Sequence, residues 1–328
     1  MEMNRQDPSK ETCASRDVVG DLDIEDRLLL GAVDLHAHAY PEFSLKMRGR
    51  VDDIEWAELA LAAGMRAFVM KSQVFQTVER AHLVQKMVPG IGVYGGIALN
   101  HPMGGLNPLA VEVAGELGGK VVWMPTWSSK NDLSKSQFYL SRMRAYIKTI
   151  ETVVPGPEAG IEILEGGRLK PVVTDIVAIA KIHGMAVSSG HLSVEESLVL
   201  VEACQKQGVP FTLAHPFSRS VGASLTDQQE IAKRGGFIEH CFVTTMPMHQ
   251  RLELSKIVEA IETIGPERTV LTTDAIQAWN PPPPEMMRMY IGSLLQLGLD
   301  AASISRMIQE NPARIIGLET DAADGSPA

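Results

Sequence analysis

Eight short apolar runs, rich in Val, Ile and Phe, recur along this chain with helix-period stretches between them. They cover residues 32–36, 67–71, 92–99, 120–125, 185–189, 210–214, 237–242 and 269–273. Runs of that length and composition read as buried strands. Their spacing, for the most part roughly 25 to 35 residues, is the length of one strand–helix unit. Eight such units favour a closed (β/α)8 TIM barrel, an α/β fold, over an open doubly wound sheet.

The intervening segments 52–63, 77–87, 108–117, 171–183, 193–207, 225–234 and 252–264 carry helix signals. Several stop at a glycine, among them Gly64, Gly118, Gly184 and Gly208, where a helix most readily turns into a left-handed cap. Ser193 with Glu196 three residues on is a capping-box pattern. The gap between the fourth and fifth strands is long and predicts an insertion. Its stretch 128–146 reads as a helix or ordered loop, and 161–164 with Gly166-Gly167 as a hairpin. Residues 285–316 supply extra C-terminal helices, and the prolines 281–284 predict a stiff connection before them. Residues 27–318 are expected to form one domain. Residues 1–26 and 319–328 are polar and predict disordered tails.

Composition excludes several classes. A net charge of −10 argues against a nucleic-acid partner and against a basic membrane-binding patch. No run approaches the roughly 18 apolar residues of a membrane span, and the first residues lack the apolar core of a signal peptide. The three cysteines, Cys13, Cys204 and Cys241, show no CxxC spacing, which makes a reducing cytoplasm the expected setting. The 16 methionines scatter along the chain as core filler.

In a barrel the chemistry sits at the C-terminal strand ends, and there this sequence concentrates its histidines. The first strand ends in His36-Ala37-His38, the second in Lys71, the third in Asn100-His101, the fifth in His191, the sixth in His215 and the eighth in Asp274; the seventh contains Glu239-His240. Residues two apart on a strand point the same way, so His36 and His38 can present two nitrogens to one metal ion; the alternative is two polar residues at a strand terminus. For His191 and His215 the alternative is a hydrogen-bonded core histidine, and for Asp274 a helix cap. His82, His183 and His249 read as surface or capping residues.

The ordered set Asp34-Leu35-His36-Ala37-His38, Gly190-His191, Ala214-His215-Pro216 and Thr273-Asp274 resembles the amidohydrolase superfamily. Asn311-Pro312-Ala313-Arg314-Ile315-Ile316-Gly317-Leu318 is similar to that superfamily's C-terminal helix, so the resemblance spans residues 31–318. Residues 122–126 and 104–108 look like a bacterial branch of metal-dependent hydrolases. The resemblance implies that His36, His38, His191, His215 and Asp274 surround one or two divalent ions, zinc with Mn or Fe as alternatives. Neutral imidazoles and a carboxylate suit zinc. A metal-bound hydroxide would then cleave a C–N or C–O bond of a small amide, cyclic amide, lactone or ester, with Asp274 as proton shuttle and His215 orienting or activating the water.

The fourth strand departs from the superfamily pattern, offering Trp123, Met124, Pro125 and Thr126 where a bridging lysine or glutamate is usual. A one-ion site is the simplest reading, and it leaves a non-oxidative decarboxylase or a deaminase as alternatives. A non-catalytic ligand-binding barrel is a further one. Lys71 could anchor a substrate anion, bridge two ions or face solvent; Glu239 is the other candidate bridge, but is more simply read as fixing a histidine tautomer. Asn100, His101, Trp123 and Arg48 are candidate substrate contacts, and the Gly95-Gly96 pair would let a ligand come close. The expected partner is a small-molecule substrate, with a homo-oligomer, most simply a dimer.

Overall fold

The computed structural model describes residues 22–135 and 138–318. Among the described residues eleven strands form: β1 (Val33–Ala37), β2 (Ala67–Met70), β3 (Gly92–Tyr94), β4 (Gly96–Ala98), β5 (Val121–Trp123), β6 (Leu164–Glu165), β7 (Arg168–Leu169), β8 (Ala186–Ser188), β9 (Phe211–Ala214), β10 (Phe237–Cys241) and β11 (Thr269–Thr272). β6 and β7 make a two-residue antiparallel hairpin. All other pairings are parallel, in the orders β1-β2-β3 and β4-β5-β8-β9-β10-β11.

The two ladders meet at both ends. β3 runs through Gly95 into β4, and Asp274 N donates to His36 O at 3.1 Å beside β1. The ring is therefore the eight-stranded barrel, with its third strand split in two. Gly95 explains the split. A Cβ there would lie 2.6 Å from the Thr77 backbone, and Thr77 N donates to Gly96 O at 3.0 Å. At Gly96 a Cβ would collide with Val121 O and meet the Trp123 ring at 2.6 Å. The glycine pair admits the chain's own Thr77 and Trp123, which corrects the expectation of a close-approaching ligand.

Strand-start residues Val33, Val121, Phe237 and Val270 pack with Ile315 and Ile316 of the C-terminal helices. That packing closes the barrel floor, opposite the end where His36 and Asp274 lie. Removing such side chains from water contributes roughly 25 cal/mol per Å2 of apolar surface. The wall is sealed by stacks such as Trp56 on Phe68, with ring centroids 4.2 Å apart.

Helix starts follow the sequence signals. Asp52 and Glu55, Ser193 and Glu196, and Ser224 and Asp227 all form reciprocal capping boxes. The insertion after β5 holds helices Lys130–Lys135, Phe138–Met143 and Ile150–Val153, then the β6–β7 hairpin. Its turn glycines Gly166 and Gly167 have φ of 55° and 75°, the left-handed pair that tight hairpins favour. Ile161 lies outside that hairpin and bridges to Ser129 instead.

The proline run does not remain a separate connector: helix Pro283–Gln296 begins inside it. Prolines suit a first helical turn because their missing N–H has no acceptor there. Arg306–Glu310 forms a π-helical turn before helix Asn311–Ile315; the widened turn accommodates Pro312, whose ring would collide with a carbonyl in a regular helix. Residues 1–21 and 319–328 of the expected tails lie outside the described residues, while Ile24, Glu25 and Asp26 begin the short helix Ile24–Leu29, after Asp23 at its N-cap. Among the described residues no helix is long and apolar enough to cross a membrane.

Candidate metal centre

β1 does not alternate regularly. Its partners on β2 are Phe68 for Asp34 and Met70 for Ala37, so one extra residue is accommodated between them. A bulge of this kind re-aims side chains beside functional sites. Here His36 N donates to Asp34 Oδ1 at 3.0 Å. The His36 and His38 rings end 5.4 Å apart, tilted by 46°, and both residues are buried.

Asp34 also ties β1 to the last strand. Its Oδ2 accepts from Thr273 Oγ1 at 2.5 Å. Burial pushes this carboxyl up to about 7, against the hydrogen bonds from Thr273 and His36.

The geometry assigns the tautomer of His36. Its Nδ1 lies 2.7 Å from Glu239 Oε1, which also accepts from Thr272 Oγ1 at 3.0 Å. Burial raises the Glu239 pKa, but the facing His36 and Lys71 outweigh it and hold the carboxyl below its ordinary value. Nδ1–H therefore donates to Glu239, and the Nε2 lone pair of His36 faces inward. Burial and the nearby Lys71 lower the imidazole pKa, against Asp274 and Glu239, and favour the neutral ring.

Asp274 Oδ1 lies 3.3 Å from His36 Nε2 and 3.3 Å from His38 Nε2. Both His38 ring nitrogens and Asp274 Oδ1 are buried and make no hydrogen bond among the described residues. Ligand atoms on a tetrahedral zinc, with arms of about 2.05 Å, stand roughly 3.3 Å apart. The spacing and the unspent polar atoms thus fit a shared cation. Burial opposes the charge on Asp274, yet the facing imidazoles hold its carboxyl well below the usual range, so it is a carboxylate.

His191 and His215 flank this triad. Their rings are 4.9 Å apart, and His215 is 5.7 Å from His36. Burial and the neighbouring His191 depress the His215 pKa well below its ordinary value. Ser218 Oγ lies 3.2 Å from its Nδ1. His215 and Asp274 adopt positive φ, 30° and 49°. Such backbone is costly for residues with a Cβ and concentrates at functional sites.

His191, His215 and Asp274 open into a cavity of about 220 Å3, whose lining also includes Lys135, Ser218, Arg219 and Gln250. His249 lines the same cavity, which corrects its reading as a surface or capping residue. Lys71 Nζ stands 2.8 Å from His36 Nε2 and 5.5 Å from the Trp123 ring centroid. Trp123 is fully buried and floors the site.

The other candidates are spent elsewhere. Asn100 gives its amide to Gln73 O and Thr126 Oγ1, and its Oδ1 accepts from Thr126 N and Ser128 N. His101 Nε2 is 2.9 Å from Ala159 O and ties the insertion down. Arg48 lies over the Tyr40 ring and lines a different cavity with Tyr146 and Trp279.

Sequence reasoning missed Asp132. It lies on helix Lys130–Lys135 of the insertion, wholly buried, and neither carboxylate oxygen makes a hydrogen bond among the described residues. Its Oδ1 faces His191 Nδ1 at 3.6 Å. No strand-end rule points to a residue inside an insertion.

Solved structures share this fold. An amidohydrolase from Pseudomonas aeruginosa superposes with a TM-score of 0.56 at 13% identity, covering 89% of this chain and 98% of its own. A mutant lactonase from Deinococcus radiodurans gives 0.53 at 14% identity, covering 91% and 99%. A mutant organophosphorus hydrolase from the same organism gives 0.56 at 13%, covering 88% and 93%. At such identities the likeness is one of fold, and it agrees with the resemblance to the amidohydrolase superfamily carried by the histidine motifs. A search of curated proteins finds no match. Residues 31–239 match the model of DUF6282, a family of unknown function, and the chain belongs to that family.

Proposed function

We propose that the chain is a metal-dependent hydrolase that cleaves a C–N or C–O bond of a small amide, cyclic amide, lactone or ester. The observation that carries this reading is Asp274 Oδ1 at 3.3 Å from both His36 Nε2 and His38 Nε2. An amidohydrolase, a lactonase and an organophosphorus hydrolase among the fold neighbours support it.

A divalent ion, zinc with Mn or Fe as alternatives, would polarise the scissile carbonyl and make water nucleophilic near neutral pH. His36, His38 and Asp274 would hold it, with His191 beside them. Glu239 keeps His36 in the tautomer that offers Nε2. Asp274, ionised, takes a proton from the attacking water and returns it to the leaving group. His215, kept neutral by burial, offers a lone pair that orients the water.

Turnover on a panel of lactones, esters and amides, with and without chelator, tests the reading. Activity that is lost on chelation, and reduced by about two orders of magnitude or more in Asp274→Asn, is the expected result. Unchanged turnover in that variant sinks the assigned role of Asp274.

One observation favours a second reading. The C-terminal end of β5 presents the buried Trp123, so no carboxylate or lysine of that strand is available to bridge two ions. A one-ion site would also serve decarboxylation of an aromatic or enoic acid. Release of CO2, assayed alongside hydrolysis, separates the two.

A further inference from the structure

We propose that the cavity takes a small molecule whose end remote from the reacting bond carries an oxyanion, a carboxylate or a phosphate, held by Lys135 and Arg219. This rests on the hydrolase reading of the same site and names its substrate class.

His191, His215 and Asp274 line the cavity, and both formal positive charges of its lining belong to Lys135 and Arg219. This holds in a chain with 40 acidic residues against 30 basic ones. Several arginines elsewhere are ion-paired, Arg80 with Asp53, Arg234 with Glu202 and Glu230, and Arg288 with Asp26, while others, such as Arg251 and Arg268, reach only backbone carbonyls. The Arg219 guanidinium makes no ion pair or hydrogen bond among the described residues, although its own backbone is fixed. Arg219 N donates to Gln250 Oε1 at 2.9 Å, and Gln250 Nε2 donates to Phe217 O at 2.6 Å.

The loop after β9 is pinned from the insertion as well. Asn131 Nδ2 reaches both His191 O and Ser220 O. Lys135 Nζ donates to Val221 O at 2.9 Å, which leaves two of its three N–H groups for a ligand. Two cationic donors on one short, anchored loop contact make a ready oxyanion clamp. At about 220 Å3 the space lies below the roughly 300 Å3 at which drug-sized pockets begin. A compact acid fits it, with a carbonyl at the histidine end and the anion at the Lys135–Arg219 end.

The test measures binding of succinate, propionate and 3-phosphonopropionate to the full chain by calorimetry, with and without chelator. The wild type is expected to bind succinate or 3-phosphonopropionate at least about tenfold tighter than propionate, the scale of one charge-assisted contact. The tighter of the two identifies the oxyanion as carboxylate or phosphate. Arg219→Gln, at an exposed position, is expected to lose most of that preference, and Arg219→Lys to regain part of it. Lys135→Met should weaken it further, while also removing the bond to Val221. Equal binding of all three acids by the wild type, or an intact preference in Arg219→Gln, overturns the proposal. A preference that survives in a protein with no metal and no hydrolytic turnover would uphold the clamp and refute the hydrolase reading.

Discussion

Lys71 Nζ stands 2.8 Å from His36 Nε2, the same nitrogen that faces Asp274 Oδ1 at 3.3 Å. A neutral imidazole with Nδ1–H committed to Glu239 has one lone pair. That pair can accept from Lys71 or bind a cation, but not both at once. Metal binding must therefore move the Lys71 ammonium away from His36 and work against its charge. Lys71→Met is expected to tighten metal binding by about tenfold or more in competition with a chelator, a modest share of the roughly 4 kcal/mol that one unit charge about 4 Å away carries at an effective dielectric of about 20. A variant that instead loses its metal would make Lys71 part of the metal-holding set, as in the bridging reading.

Asp132 is expected to act through His191. A carboxylate on the second nitrogen of a ligating or catalytic histidine fixes its tautomer and angle, and its loss typically costs 10- to 100-fold in activity or affinity. Because Asp132 is buried and neither of its oxygens makes a hydrogen bond among the described residues, Asp132→Asn should leave the melting temperature unchanged or raise it. Kinetics and thermal melts on the same preparation check this. A parallel loss of stability and turnover would make Asp132 merely structural.

His240 supplies a pH dependence unrelated to turnover. Burial pushes its imidazole down to about 3, and the ring stacks on Phe217 with centroids 5.6 Å apart. A histidine whose folded pKa lies below its unfolded value of 6.5 stabilises the fold fully above that value. It loses the contribution as pH falls towards the folded pKa, because the unfolded chain takes up the proton first. Between pH 8 and pH 5 the wild type should lose about 2 kcal/mol that His240→Phe keeps. Denaturant unfolding of both proteins at the two pH values measures it; parallel losses would place a charged or solvated imidazole at that position.

Gly96 tests the split strand. A Cβ there collides with Val121 O and the Trp123 ring, both fixed parts of the barrel wall. Gly96→Ala is expected to destabilise by about 3 kcal/mol or more, the range of overpacked cores. A melting temperature within two or three degrees of wild type would mean that β4 and β5 separate more easily than the packing implies.

Much of this was legible in the chain because the barrel repeats one local rule. Apolar runs, capping residues such as Ser193 and stop glycines such as Gly208 report on their own neighbourhoods, so strands and helices fall where the pattern puts them. The strand-end rule likewise brings His36, His38 and Asp274 to one point. What escaped the sequence depends on contacts between distant segments. The bulge in β1 follows from its register with β2. Asp132 meets His191 only because the insertion folds back over the barrel mouth. Arg219 and Lys135 become neighbours of the site through the loop after β9, and Asn100 turns inward because the Gln73 and Thr126 backbones await it. Pro283 and Pro284 read as a rigid connector in isolation, yet the first turn of a helix tolerates them equally well.

The central claim is that His36, His38 and Asp274 hold a divalent ion, and metal content per chain tests it most directly. On protein purified without added metal or chelator, elemental analysis is expected to find about one zinc, manganese or iron per chain. In His38→Ala, which removes two buried nitrogens that make no hydrogen bond among the described residues, it should find almost none. A wild type with no bound metal and no uptake from a zinc-containing buffer would contradict the account.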